Sequence, residues 1–160
     1  MKRNVFLNVG SNLGDRRMNL SRALAAIERE FGYFELSHTV ESPPWGYDSP
    51  NTYLNVGVMV LSDLEPPEML HRLKAIDRQL GSGNHRNADG SYADRLIDID
   101  IIAIDDMTMD TSELTLPHPR MAERHFVLEP MAELAPLWRH PLLGKTASEM
   151  LESLPGDTEG

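Results

Sequence analysis

The most apolar stretch of the chain reads Leu96-Ile97-Asp98-Ile99-Asp100-Ile101-Ile102-Ala103-Ile104. Its length and isoleucine content are typical of a β-strand, in which residues i and i+2 point to the same face. Asp98 and Asp100 therefore share one face, and the isoleucines beside them point into a core. Because isolated carboxylates are costly to bury, we interpret the pair as a functional cation site. The alternative is a half-solvated strand with its aspartates in water.

Before this stretch, apolar periodicity predicts three more strands and two long helices. The helices are expected to begin after Asp15 and near Pro66, and a glycine ends each of them. A further short helix is expected at Phe126–Leu134. The other strands are expected at Val5–Val9, Phe34–Glu41 and Tyr53–Leu61.

The order strand, helix, strand, strand, helix, strand is the split βαβ arrangement of a ferredoxin-like sheet. We therefore predict an α+β fold: a ferredoxin-like (βαββαβ) sheet with its helices packed on one face and extra C-terminal elements. With 160 residues, 41% of them hydrophobic, the chain is expected to form a single domain over residues 1–154 and a short flexible tail over 155–160.

The composition argues against several classes of protein. The chain has no cysteine, which excludes disulfides, thiolate metal sites and a cysteine nucleophile. It has no run near the ~20 apolar residues of a membrane span, and Met1 is not followed by an apolar secretory segment, so we expect a cytoplasmic protein without a membrane partner. The formal net charge of -10 argues against nucleic-acid binding, and nothing suggests an obligate assembly, so we expect a monomer.

Two carboxylates on one strand face suit Mg²⁺, which takes oxygen ligands and usually shares its shell with phosphates and waters. Asp98 and Asp100 therefore indicate phosphate chemistry, in which two such ions clamp an in-line displacement. Asp-x-Asp motifs also occur in nucleotide-sugar transferases and metal phosphohydrolases, which stay open as alternatives. A ferredoxin-like RNA-binding module is a non-catalytic alternative, which the acidic chain and the acidic strand disfavour.

Five other side chains each have two interpretations. His118, between two prolines, is either a ligand-binding histidine or a solvated loop residue. Arg95 either reaches a phosphate or forms a plain salt bridge. Phe126 is either a core residue or a stacking ring, and Trp45 either covers the core or lines a pocket for a planar ligand. Asn55 lies in an apolar strand and needs its amide satisfied; facing a pocket, it would read the polar edge of a heterocycle.

Five motifs in order along the chain resemble the 6-hydroxymethyl-7,8-dihydropterin pyrophosphokinase family of folate biosynthesis. The resemblance runs from about Val5 to Leu151. As an ordered set it is far more specific than any single motif. The motifs are Gly10-Ser11-Asn12-Leu13-Gly14, Ser42-Pro43-Pro44-Trp45-Gly46, Tyr53-Leu54-Asn55, Arg95-Leu96-Ile97-Asp98-Ile99-Asp100, and Leu116-Pro117-His118-Pro119-Arg120-Met121 leading to Arg124 and Phe126.

The resemblance implies a Mg²⁺-dependent transfer of pyrophosphate from ATP to 6-hydroxymethyl-7,8-dihydropterin, with AMP as the leaving group. It implies two Mg²⁺ ions held by Asp98 and Asp100 against the ATP phosphates, and attack by the pterin hydroxymethyl oxygen on the β-phosphorus. The loops at 81–94 and 44–51 are expected to close over the site and exclude water.

The resemblance also implies a role for individual residues. The catalytic residues would be Asp98, Asp100, Arg95 and Arg124. ATP would be bound by Asp77, Arg86, Arg95, Ile101, Thr115, His118 and Arg124. The pterin would be bound by Ser42, Pro43, Pro44, Trp45, Tyr53, Asn55, Phe126 and Tyr92.

The chain departs from the family pattern at three positions on the nucleotide side. Ser82 stands where many relatives have arginine, and Arg86 is the candidate substitute. Pro119 replaces a tyrosine found in some members, and Glu113 stands where some have arginine.

Overall fold

The computed structural model describes residues 1–43, 51–81 and 96–155. Four strands form an antiparallel sheet in the order β2-β3-β1-β4. β1 lies at the centre of this sheet, and β4, which carries the two aspartates, lies at one edge. The strands are β1 (Arg3–Ser11), β2 (Phe34–Ser42), β3 (Tyr53–Ser62) and β4 (Asp98–Ile104).

Two long helices, α1 (Arg16–Phe31) and α2 (Pro66–Gln79), pack on one face of the sheet. α1 begins at Asp15, whose side chain accepts a hydrogen bond from the Met18 N–H at 3.1 Å. Their apolar stripes bury the alternating valines, leucines and isoleucines of β1, β3 and β4. This core fixes β4 against the centre of the sheet.

Two shorter helices, α3 (His125–Leu134) and α4 (Ala147–Glu152), pack on the opposite face. α3 approaches the sheet closely because β3 has no side chain at Gly57. A Cβ atom there would lie 2.6 Å from the Cβ of Pro130, so a larger residue would push α3 away. Thr146 and Glu149 form a capping box at the start of α4.

A β-bulge interrupts the alternation of β4. Leu7 of β1 pairs with Ile101, whereas the preceding Phe6 pairs with Ala103, so Ile102 is an extra residue. Ile102 and Ala103 consequently both belong to the core under α3 and α4. Ile101, before the bulge, belongs to the core under α1 and α2.

The ferredoxin-like α+β prediction is confirmed, as are the four strands, the first two helices and the short helix after residue 125. The prediction that helices cover one face is correct for α1 and α2. It did not include the second layer formed by α3 and α4, or the small hairpin of β5 (Met109–Asp110) and β6 (Thr115–Leu116). Of the expected tail at 155–160, only Pro155 belongs to the described residues. Among the described helices, none combines the length and apolar character needed to cross a membrane.

Candidate active site

Asp98 and Asp100 project from the sheet face that also carries α3. Asp98 lies opposite Gly10 and Asp100 lies opposite Asn8 in the β1–β4 register. Directly opposed residues of an antiparallel pair point to the same face, so all four positions share it. Both aspartates are partly exposed. The edge position of β4 thus presents two carboxylates to open space.

A cleft of about 560 Å³ lies beside β4, between α2 and the β5–β6 hairpin. This volume is within the range of small-molecule and cofactor sites. The structure thereby brings together six residues that are far apart in sequence and were predicted as one site. They are Asp77, Asp98, Asp100, Ile101, Thr115 and His118.

Several residues of the cleft were not predicted as site residues. Lys74 and Arg78 lie one turn apart on α2 and add two exposed cations to the cleft wall. Lys74 lies three residues before Asp77 and four before Arg78, so the helical spacing of Lys74 from these two residues was an available sequence signal. Glu113, noted only as a departure from the family pattern, lies on the opposing hairpin together with Thr111.

His118 lies at the end of the cleft as a neutral imidazole. Burial, together with the positive charge of Arg124, lowers the pKa of His118 to about 4, although the negative charge of Asp98 opposes this shift. The Nδ1 atom of His118 accepts a hydrogen bond from the Arg120 N–H at 3.1 Å. In the neutral ring the proton therefore resides on Nε2, which makes this nitrogen a hydrogen-bond donor.

This burial predicts that the free energy of unfolding falls as the pH drops from about 6.5 to about 4. The unfolded chain takes up a proton on this imidazole near its ordinary pKa of 6.5, whereas the folded chain does so only near 4. Acid therefore favours the unfolded state throughout that window. His118→Asn, whose amide oxygen can accept the Arg120 N–H, should remove this part of the dependence. Urea unfolding at several pH values measures it.

The exposed His71 on α2 offers a matched control for the pH experiment. His71→Asn should keep the pH slope of the wild-type chain. If His118→Asn also kept that slope, the buried neutral histidine would be contradicted.

Arg124 connects the acidic pair with Phe126. Burial lowers the pKa of its guanidinium, while the negative charges of Asp100 and Asp98 raise it. The group stays protonated because the pKa of arginine starts far above neutral pH. Its Cζ lies 5.7 Å from the centroid of the Phe126 ring, within the range of a cation–π contact. Phe126 is 9% exposed and joins the core under α3 and α4.

Asn55 offers one acceptor at the floor of the same sheet face. It is 2% exposed, and its Nδ2 donates to the Val40 carbonyl at 3.0 Å and to Ser42 Oγ at 2.9 Å. A carbonyl can only accept, so the amide nitrogen must point to Val40 and the Oδ1 atom points away from it. In the sheet register, Gly10 lies between Asn55 and Asp98.

Gly10 leaves the space beside Asn55 open. A Cβ at this position would lie 2.8 Å from Asn55 Oδ1 and 3.2 Å from Tyr53 Cδ1. The glycine therefore keeps a gap on the sheet between the carboxylates and the amide. Four of the predicted pterin residues, Ser42, Tyr53, Asn55 and Phe126, lie on the strands and the helix that border this face. Pro43 follows Ser42 and is exposed.

The other predicted site residues lie outside the described part of the chain. They are Pro44, Trp45, Arg86, Tyr92 and Arg95. Ser82, one of the departures from the family pattern, also lies outside the described residues.

The donor set at β4 fits a magnesium ion whose coordination shell is completed by a substrate. Within residues 1–43, 51–81 and 96–155, no group of three or more histidine, aspartate or glutamate side chains is placed to hold a metal. Asp98 and Asp100 nevertheless supply two carboxylates at an open cleft. Mg²⁺ is commonly bound by one or two carboxylates together with substrate phosphates and waters.

The fold and the site together define a ferredoxin-like α+β protein with an acidic, nucleotide-sized cleft at the edge of its sheet. Residues 6–136 match the family described as 7,8-dihydro-6-hydroxymethylpterin-pyrophosphokinase (HPPK). The chain belongs to this family. The predicted family membership is therefore confirmed, and the protein is an enzyme of the diphosphotransferase class.

Curated relatives agree with this membership. The chain is 44% identical over 139 residues to a 2-amino-4-hydroxy-6-hydroxymethyldihydropteridine pyrophosphokinase of Porphyromonas gingivalis, an alignment that covers 86% of this chain and 93% of the relative. It is 34% identical to the Bacillus subtilis protein of the same name, over 81% of this chain and 76% of that one. It is also 36% identical to the folic acid synthesis protein FOL1 of Dictyostelium discoideum, over 94% of this chain but 22% of that protein.

Solved structures show the same fold. One described as HPPK-DHPS in complex with substrates matches 96% of this chain with a TM-score of 0.72 at 15% identity. Plasmodium falciparum HPPK-DHPS with pteroate matches 95% of it with a TM-score of 0.72 at 14% identity. The chain spans 43% and 42% of the lengths of these two proteins.

Proposed function

We propose that the protein transfers pyrophosphate from ATP to 6-hydroxymethyl-7,8-dihydropterin in a Mg²⁺-dependent reaction that yields AMP and the pterin diphosphate. One observation carries this beyond family membership: the acidic pair lies between a nucleotide-sized cleft and the sheet face that carries Asn55 and is covered by α3 with Phe126. We further propose that residues 1–154 act as a single catalytic domain, and that the protein works as a cytoplasmic monomer.

ATP would occupy the cleft between α2 and the β5–β6 hairpin. Asp98 and Asp100 would hold two Mg²⁺ ions, which when bound supply the positive charge that a triphosphate needs in an acidic site. His118 would donate its Nε2–H to a phosphate oxygen without adding charge. Asp77 and Thr115 line the cleft where hydroxyl groups of a ribose could be bound.

The pterin would lie on the sheet face between Asn55 and Phe126. The Oδ1 of Asn55, which takes part in neither of the two Nδ2 hydrogen bonds, is an acceptor and matches the ring N–H and amino groups at the edge of a pterin. The ring of Phe126 offers a face for stacking. Arg124 beside this ring would bring positive charge to the point where pterin and triphosphate meet.

In the proposed reaction, the hydroxymethyl oxygen of the pterin forms a bond to the β-phosphorus of ATP. The bond between the β-phosphorus and the oxygen of the α-phosphate breaks, and AMP leaves with the electron pair. Asp100 or a water molecule would accept the hydroxyl proton. Arg124 would stabilise charge on the phosphoryl oxygens, a role that is worth most where water is excluded.

Gly10→Ala is expected to raise the KM for the pterin by about 10-fold while leaving the KM for ATP close to the wild-type value. The added Cβ would meet Asn55 Oδ1, which two hydrogen bonds of the same amide hold in place. Steady-state kinetics with each substrate varied in turn measures the effect. Gly144→Ala is the control for lost stability: no atom lies within 4 Å of its added Cβ, but the φ of +71° strains an alanine, so this variant should lower the Tm and leave the pterin KM unchanged. An unchanged pterin KM in Gly10→Ala would place the pterin elsewhere.

Product analysis tests the proposed reaction against its alternatives. The protein, incubated with Mg²⁺, ATP and the reduced pterin, should form AMP in step with pterin diphosphate. Formation of ADP would indicate transfer of a single phosphoryl group. Phosphate release without the pterin would indicate a phosphohydrolase. Either result would refute the proposed function.

A further inference from the structure

α3 contains a proline one turn after Phe126. In an α-helix the carbonyl of residue i accepts a hydrogen bond from the N–H of residue i+4. For Phe126 that residue is Pro130, which has no N–H, and whose ring crowds the carbonyl it faces. The helix therefore cannot supply the usual donor to the Phe126 carbonyl.

Asn8 supplies a donor from the sheet. Its Nδ2 donates to the Phe126 carbonyl oxygen at 3.0 Å, across a sequence separation of 118 residues. Asn8 is 6% exposed and is a polar residue within the otherwise apolar run Val5-Phe6-Leu7-Asn8-Val9. A buried amide in such a run needs a partner, and a buried carbonyl without its helical donor needs one too. The Asn8 amide and the Phe126 carbonyl therefore each supply the partner that the other needs.

The sheet register places this contact next to the acidic pair. Asn8 of β1 lies opposite Asp100 of β4 on one side and opposite Gly57 of β3 on the other. Pro130 sits on Gly57, where a Cβ would lie 2.6 Å from the proline Cβ. The row Asp100, Asn8, Gly57 therefore meets α3 at two points one helical turn apart, the Phe126 carbonyl and the Pro130 ring.

The N-cap of α3 is Arg124, which makes no side-chain capping hydrogen bond. The His125 side chain also contacts the sheet, with 3.4 Å between its Nε2 and the Glu41 carbonyl oxygen, so the 3.0 Å bond from Asn8 is the shorter of these two links between the first turn and the sheet. The same turn carries Phe126, and Arg124 immediately precedes it. Fixing the Phe126 carbonyl thus fixes the position of both residues relative to the carboxylates.

We propose that Asn8 is a positioning residue for the transfer reaction: it replaces the hydrogen bond that Pro130 cannot make and thereby holds Phe126 and Arg124 in register with Asp100. The proposal rests on the proposed function, in which Phe126 contacts the pterin. Asn8 itself touches neither substrate in this role.

Two variants test the proposal together. Asn8→Ala removes the donor and should raise the pterin KM by about 10-fold, with the ATP KM near the wild-type value. It should also lower the Tm. Pro130→Ala returns a backbone N–H to α3 and keeps the Cβ that packs on Gly57. In the Asn8→Ala background, Pro130→Ala should therefore restore both the pterin KM and the Tm.

Trp138→Phe is a matched control. Trp138 Nε1 donates to the Asp105 carbonyl at 2.7 Å, a bond of the same kind between other parts of the chain. Its loss should lower the Tm and leave the pterin KM unchanged. A role of Asn8 in stability alone would give the same pattern as this control.

The outcomes separate this proposal from the proposed function. An unchanged pterin KM in Asn8→Ala, or equal changes in both KM values, would overturn the positioning role. So would a double variant as impaired as Asn8→Ala. If Asn8→Ala does not fold, recovery of folding and pterin KM in the double variant supports the proposal, and its failure overturns it. Failure of the wild-type chain to form AMP and pterin diphosphate would instead refute the proposed function. The Tm values of the wild-type chain, Asn8→Ala and the double variant would still test the hydrogen bond.

Discussion

Asp98→Asn and Asp100→Asn are each expected to lower kcat by on the order of 1,000-fold or more. Either change replaces a negative oxygen with a neutral amide in the pair that faces the cleft. The charge that would hold Mg²⁺ against the triphosphate is then halved, and the affinity for the ion should fall as well. AMP formation at saturating ATP and pterin, measured over a series of Mg²⁺ concentrations, gives both effects.

The two aspartates are expected to matter little for stability. Both are partly exposed at the edge of the sheet, so the Tm of either variant should stay close to that of the wild-type chain. Asp106→Asn, at an exposed aspartate after β4, is the control for removal of a negative charge and should keep full turnover. Wild-type turnover in Asp98→Asn would refute the metal assignment.

Arg124→Gln is expected to lower kcat by about 100- to 1,000-fold. The guanidinium lies close enough to Asp98 and Asp100 for both to act on its pKa, and it contacts the ring of Phe126. In the proposed reaction it would stabilise charge that develops between nucleotide and pterin. Because this interaction strengthens in the transition state, the loss should appear in kcat more than in either KM. Steady-state kinetics for both substrates measures how the loss is divided between kcat and the two KM values.

Arg29→Gln provides the comparison for Arg124. Arg29 lies in the last turn of α1 and is exposed. Its replacement removes one positive charge from an acidic chain and should leave kcat unchanged. If Arg124→Gln changed only the KM for ATP, the arginine would act in nucleotide binding and not on the transferred group.

The sequence was sufficient to predict the sheet, its order of elements and the acidic pair. Isoleucine density and two-residue spacing identified β4, and Asp15 with an apolar stripe identified α1. These signals are local, so they can be recognised without knowledge of the tertiary contacts of each segment. The lining of the cleft beside β4 was also predicted in part, through Asp77, Thr115 and His118. Their assignment depended on resemblance to a family, because no local pattern joins positions so far apart.

Other features could not be predicted from the sequence because they depend on long-range contacts. The strands β5 and β6 are two residues each, too short for periodicity to show. The neutral state of His118 depends on its burial and on Arg124 beside it. The contact between Asn8 and Phe126 required both the sheet register and the position of α3. A polar residue in an apolar strand and a proline inside a predicted helix were the available signals, but nothing local connects them.

The most direct measurement is a crystal structure of the protein with Mg²⁺, a nonhydrolysable ATP analogue and the reduced pterin. We expect the triphosphate in the cleft between α2 and the β5–β6 hairpin, with oxygens of Asp98 and Asp100 about 2.1 Å from Mg²⁺. We expect the pterin edge on Asn55 Oδ1 and its ring against Phe126. Phosphates bound outside the cleft, with both carboxylates turned away from any ion, would contradict the proposed site.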